Sequence, residues 1–144
     1  MKVVLATFVF SLAGGIVPLL NVEAYLLSVS AVMPGASLWG VALAAALGQM
    51  AAKSALYLAG RGLVRLPLGA RTTARVTAAA ARLQNAACGT AAVVWASAVA
   101  GIPPFYAVSV AAGALRVRFP FFFGAGLVGR FVRFAAVFAI PRLF

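Results

Sequence analysis

The chain has 144 residues, 65% of them hydrophobic and 9% charged, and sets twelve Lys and Arg against a single acid, Glu23, with no histidine and no aspartate. Soluble globular chains run at about half apolar and about a quarter charged, so a fold of this size in water would lack the polar surface to cover its apolar atoms. The composition excludes a soluble domain and makes the bilayer the expected solvent. It also removes the parts of most protein chemistry: a zinc or di-iron centre needs several His, Cys or carboxylate ligands, and acid–base or triad hydrolysis needs a base that is missing here. The expectation is a protein that is not an enzyme and carries no cofactor or metal. The net charge of +11 comes as isolated arginines between long uncharged runs, a pattern that suits anionic lipid headgroups as partner rather than nucleic acid.

In chain order, Met1 and Lys2 open an apolar stretch that runs through Gly14 and Gly15 to Leu20. Ser11-Leu12-Ala13 is similar to a signal-cleavage site, but the apolar character continues past it, so an uncleaved membrane helix is expected over about 3–17. Pro18 and the polar tip Asn21-Val22-Glu23 break that helix. A short arm over 24–33 then leads to Pro34-Gly35, and a long helix over about 37–60 ends at Gly60-Arg61. The densest basic stretch follows, with Arg61, Arg65, Arg71, Arg75 and Arg82. By the positive-inside rule it is cytoplasmic. Arg71, Arg75 and Arg82 share one helical face, which suits an amphipathic helix lying on an anionic membrane surface; a solvated linker is the alternative. Cys88, alone in an alanine-rich segment, reads as a packing residue. The uncharged run 83–115 is too long for one span and too short for two, and Gly101-Ile102-Pro103-Pro104 breaks it. The piece from Phe105 to Leu115 would be about 16 Å as helix, roughly half a bilayer, which predicts a re-entrant arm. Irregular backbone at that depth must be buried in protein or line a wet cavity, so the Pro103-Pro104 tip should face an interior site. The final span is expected over 119–140.

The two halves follow one plan. Displaced by 81 residues, Tyr25 falls on Tyr106, Ser28 on Ser109, Ala31 on Ala112, Gly48 on Gly129 and Arg61 on Arg142, and the breaks coincide. The expected fold is an all-α integral membrane protein built as an inverted repeat of re-entrant hairpin plus transmembrane helix: repeat 1 over about 3–61, a basic cytoplasmic amphipathic linker over 62–85, and repeat 2 over 86–142. With Arg116 and Arg118 also cytoplasmic, the two hairpins would enter from opposite faces, as in transporters that bind substrate near the midplane. The side on which the N-terminus lies is left open.

Glu23 is the sharpest single feature, because an ionisable group inside a bilayer costs at least about 2.5 kcal/mol. At a hairpin tip it would serve as countercharge or proton carrier; in a short outer loop it would be an ordinary interfacial acid. Its natural partners are Arg130 and Arg133, near the middle of the final span and far from either end for snorkelling. One of them is matched by Glu23, and a lipid phosphate would supply the second negative charge, to which the planar guanidinium fork is suited. If the helix began later, both arginines would sit in the interface instead. Gln49 aligns with Arg130 in the repeat and is expected to line the same cavity, with Lys53 one turn on placed to snorkel.

These residues resemble a known family. Gly101-Ile-Pro-Pro-Phe-Tyr, then Ala111-Ala-Gly-Ala-Leu, then Gly129-Arg130-Phe-Val-Arg133-Phe134, look like the second hairpin and following helix of the DedA-like, VTT-domain (SNARE-associated Golgi protein) membrane family. Pro18 to Glu23 resembles its first hairpin, and Gly48, Tyr57 and Gly60-Arg61 its helix end. The resemblance implies two opposed re-entrant hairpins and movement of lipid across the bilayer, in bacteria often undecaprenyl phosphate or other phospholipids, in the plasma (inner) membrane. It assigns the hairpin acid to Glu23 and the helix arginine to Arg130, with Arg133 beside it. The resemblance also implies coupling to protons or ions, but Glu23 stands without the second acid of many bacterial members, which favours passive scrambling, or a family member of unassigned role, over proton coupling. The candidate substrate-binding set is Glu23, Gln49, Pro103, Pro104, Arg130 and Arg133. The partners expected are membrane lipids with anionic headgroups and a second copy of the chain as a homodimer. The competing reading is a non-transporting envelope scaffold whose intramembrane charges lock helices together.

Overall fold

Several helix ends fall at proline or glycine: Pro34-Gly35 between the helices Val22–Val32 and Leu38–Gly60, Gly60 at the end of the second of these, and Gly101 and Pro104 on either side of the break before Phe105. The computed structural model describes residues 1–16, 20–62, 70–85, 89–101 and 104–143. Among them the chain is all-helical: α1 Lys2–Ile16, α2 Val22–Val32, α3 Leu38–Gly60, α4 Ala70–Gln84, α5 Thr90–Ala100, α6 Phe105–Ala114 and α7 Phe119–Leu143. Displaced by 81 residues, α2 and α3 coincide with α6 and α7 to within two residues at every end. Two helices, α3 with 23 residues and α7 with 25, are long and apolar enough to cross a membrane. At 1.5 Å per residue they are about 34 and 37 Å long, against a hydrocarbon core of about 30 Å. Pro18, Arg65, Cys88 and Pro103 lie outside the described residues.

The chain forms two compact units, one from 1–52 with 130–144 and one from 53–129. In unit 1, α1 and α2 are antiparallel: the Phe10 and Tyr25 rings stack at 4.3 Å, and the Thr7 and Tyr25 hydroxyls lie 3.3 Å apart. Helix α1 also runs along α3 in parallel, with Val4 beside Gly40, Phe8 beside Gly48 and Gly15 beside Gln49 and Ala52. The end of α1 therefore lies next to the middle of α3. A Cβ on Gly48 would come within 2.5 Å of the Phe8 carbonyl oxygen, and one on Gly15 within 2.4 Å of the Ala52 Cβ, so glycine is what allows this approach. The far end of α2 is fixed to α7 by Ser30, whose hydroxyl donates to the Phe138 carbonyl at 2.7 Å. Arg142 Nη2 donates to the Ala36 carbonyl at 2.7 Å and so holds the α2–α3 turn.

In unit 2, α6 is the central helix, buried from Phe105 to Gly113 except at Tyr106. Gly113 and Gly60 face each other where α6 crosses α3: a Cβ on Gly113 would fall 1.9 Å from the Tyr57 carbonyl oxygen, and one on Gly60 2.0 Å from that of Val110. The Tyr57 hydroxyl donates to the Val117 carbonyl, and its ring meets Phe122 at 5.1 Å and Phe119 at 5.4 Å. Phe122 stacks in turn on Phe105. Gly129 does for α7 against α5 what Gly48 does for α3 against α1, its missing Cβ lying 2.6 Å from that of Ala98. Helix α4 packs against α6 through a side that includes the buried Ala79 and Leu83.

Candidate functional site

The break after α1 delivers the chain acid to a helix start. Asn21 caps α2, its Oδ1 accepting from the backbone N–H groups of Glu23 at 3.0 Å and Ala24 at 3.1 Å. This leaves Glu23 in the first turn, where a carboxylate is favoured by the exposed N–H groups and the helix dipole. Helix α7 begins at Phe119, so Arg130 and Arg133 lie in its central turns rather than at its start, as the in-span reading of the sequence requires. Three residues apart, they share one side of the helix.

Arg133 takes the acid: its Nε donates to Glu23 Oε1 at 2.5 Å, with the two side chains 27% and 36% exposed. Of the two partners expected for Glu23, Arg133 is the one in direct contact. Arg130 lines a cleft of about 260 Å³ together with Leu20, Asn21, Val22, Glu23, Gln49 and Phe134. Its guanidinium carbon lies 5.9 Å from the centre of the Phe134 ring, one turn further along α7, a cation–π distance. Gln49 is buried, and its position on α3 brings it to the same cleft. The Glu23–Arg130–Arg133 group carries one net positive charge. The cleft has the size of a small anion or headgroup rather than of a whole lipid, since sites for drug-sized ligands run at about 300–1,000 Å³. Chemically it offers guanidinium and amide donors with a single carboxylate, an arrangement for holding an oxyanion.

Four of the candidate residues, Glu23, Gln49, Arg130 and Arg133, are thus brought together in unit 1. Pro104 belongs to unit 2, where it is the N-cap residue of α6; Pro103 lies outside the described residues. Lys53, expected to snorkel, is instead covered by protein at 8% exposure. Sequence reasoning passed over Asn21 as a cap and Phe134 as the ring beside Arg130. An Asn just before an apolar arm, with an acid two residues on, is the signal for the first; an aromatic four residues after an arginine on a helix is the signal for the second. No family model matches the chain, and neither the curated proteins nor the solved structures contain a significant match to it.

Proposed function

We propose that this chain is a multi-pass helical membrane protein that binds the phosphate of an anionic phospholipid or polyprenyl phosphate in the Glu23–Gln49–Arg130–Arg133 cleft and moves that lipid across the bilayer, as a transporter or scramblase of the DedA-like kind. The observation that carries the proposal is a single cleft lined by Arg130, Glu23 and the buried Gln49, with Arg133 paired to that same Glu23, where two helices of bilayer length supply part of the wall. The membrane setting is supported by the large apolar side chains left exposed, among them Leu5, Val9, Ile16, Val32, Trp39 and Phe121; that much apolar surface is costly in water and natural against acyl chains. At about 22 and 16 Å, α1 and α2 are too short to span, and the end of α1 lies against the middle of α3, which supports a re-entrant hairpin with Glu23 near its tip. The repeated order of elements supports the same design in the second half. A plasma (inner) membrane setting in a bacterium belongs to this reading, as do a homodimer and the absence of enzymatic chemistry.

The test is translocation of a labelled anionic lipid in liposomes containing purified protein. The Arg130→Ala protein should fold and lose translocation; an unchanged rate would sink the assignment. The scaffold reading is favoured by one observation, the tight Glu23–Arg133 contact. A double reversal, Glu23→Arg with Arg133→Glu, separates the two: a purely structural pair survives it with stability intact, whereas the transporter loses translocation.

A further inference from the structure

Unit 2 holds eight of the twelve cations and no acid. On α4, Arg71, Arg75 and Arg82 are exposed while Ala79 and Leu83 are buried, and the helix packs on α6. The apolar side that would let an amphipathic helix sink among acyl chains is therefore engaged within the protein. What α4 turns outward is guanidinium. Arg75 Nη1 donates to the Tyr106 hydroxyl at 2.6 Å, which fixes this arginine against the first turn of α6. The phenol keeps its own proton to donate, the guanidinium keeps further N–H groups, and Arg71 lies one turn before Arg75 on the same face. Other arginines of the unit stand at the ends of bilayer-length helices: Arg61 directly follows α3, and Arg116 and Arg118 directly precede α7. Those positions correspond to headgroup level if α3 and α7 span.

We propose that the exposed face built from Arg71, Arg75 and Tyr106, extended by Arg82, is a docking surface for the phosphate headgroups of anionic phospholipids at the bilayer surface, held by charge without insertion of α4. It is a different site from the cleft of unit 1 and does not require that cleft to transport anything. Charge complementarity identifies the occupant: with no carboxylate anywhere in unit 2, every fixed charge near this face attracts a phosphate. The chemistry of the contact is a phosphate oxygen accepting from Arg71, Arg75 and the Tyr106 hydroxyl.

The experiment uses the full chain in nanodiscs of mixed phosphatidylcholine and phosphatidylglycerol, reading the relative association of spin-labelled phosphatidylglycerol over spin-labelled phosphatidylcholine. Each exposed arginine should contribute about fivefold at low salt, so R71Q/R75Q/R82Q should lose most of the preference, and rising salt should erode it in the unaltered protein. Tyr106→Phe should lower it by less than removal of an arginine. The charge-preserving R71K/R75K/R82K protein should keep most of it, which separates lost charge from a damaged fold. In an Arg130→Gln background, where the cleft is already altered, R71Q/R75Q/R82Q should still lower the preference by the same factor as in the unaltered protein, so failure of the cleft reading and failure of this one are told apart. An unchanged preference in R71Q/R75Q/R82Q overturns the proposal. So does binding of a duplex oligonucleotide at physiological ionic strength that the same triple variant abolishes, because that outcome gives the surface to nucleic acid.

Discussion

Replacing Glu23 by Gln separates the charge of the only acid from its geometry. The Gln amide oxygen can still accept from Arg133 Nε, as Glu23 Oε1 does at 2.5 Å, so the arginine keeps an anchor while the group goes from one net positive charge to two. A sphere with the cleft volume of about 260 Å³ has a radius of about 4 Å, which puts a bound phosphate some 7 Å from the lost carboxylate charge when side-chain reach is added. Removing that repulsion is worth about 2.4 kcal/mol at an effective dielectric of 20 and about 0.6 kcal/mol in water. With the two side chains roughly a third exposed, the result should fall between these limits. Glu23→Gln should therefore tighten binding of a short-chain anionic lipid by between about threefold and about sixtyfold. It should also slow translocation, because tighter binding is expressed mainly in slower release. Titration calorimetry in detergent and the liposome assay read the two quantities. Weaker binding by the Gln variant, with the fold intact, would refute the view of Glu23 as a countercharge in the site.

The glycine crossings give the sharpest stability contrasts. Gly113→Ala must part α3 from α6, because its Cβ would sit 1.9 Å from a backbone oxygen; a loss of about 1–3 kcal/mol is expected, read as a lower thermal midpoint in detergent. Gly124→Ala, with nothing within 4 Å, should be neutral or stabilising through helix propensity, and equal midpoints for the two variants would contradict the crossing. Ser11→Ala should be neutral or stabilising by about 1 kcal/mol, since the buried hydroxyl has no hydrogen-bond partner among the described residues; Ser30→Ala removes the bond to Phe138 and should cost about 0.6 kcal/mol. The order of their midpoints tests both. Tyr57→Phe keeps the ring contacts with Phe119 and Phe122 but deletes the bond to Val117, so it should destabilise by about 0.5–1.5 kcal/mol.

Much of the element map was legible because breakers act locally. Pro34-Gly35 separates α2 from α3, Gly60 ends α3, and α7 starts at the predicted residue 119. The spacing of Arg71, Arg75 and Arg82 correctly anticipated a helix, now α4. What was not legible is which face of each helix meets which neighbour. In α1, α3, α5, α6 and α7 apolar residues surround the axis, so no amphipathic stripe marks the buried side. That is why the sequence offered both Arg130 and Arg133 to Glu23, and only packing selects Arg133 for the direct contact. Gly60 and Gly113 were readable as small residues but not as a crossing pair, since 53 positions separate them. Lys53 was misplaced for the same reason: distance from the helix end suggests snorkelling, while the rotation of α3 buries it. The side of α4 was legible in composition, but its partner was not; α6 covers the face that the sequence reserved for lipid.

The charge partition then links the two proposals. Unit 1 has four cations against Glu23, a net +3, and unit 2 has eight cations and no acid, a net +8. A surface that only retains headgroups gains from every added cation, since nothing has to leave. A site through which a headgroup must pass works under the opposite constraint: binding has to be favourable enough to enter and weak enough to release, as in channels. Two arginines without a counterion at bilayer depth would hold a phosphate tightly and cost several kcal/mol to insert. One carboxylate against Arg133 reduces both effects while leaving the cleft positive. If the cleft is a passage and the α4 face an anchor, as proposed, the placement of the chain acid in the cleft is what distinguishes the two.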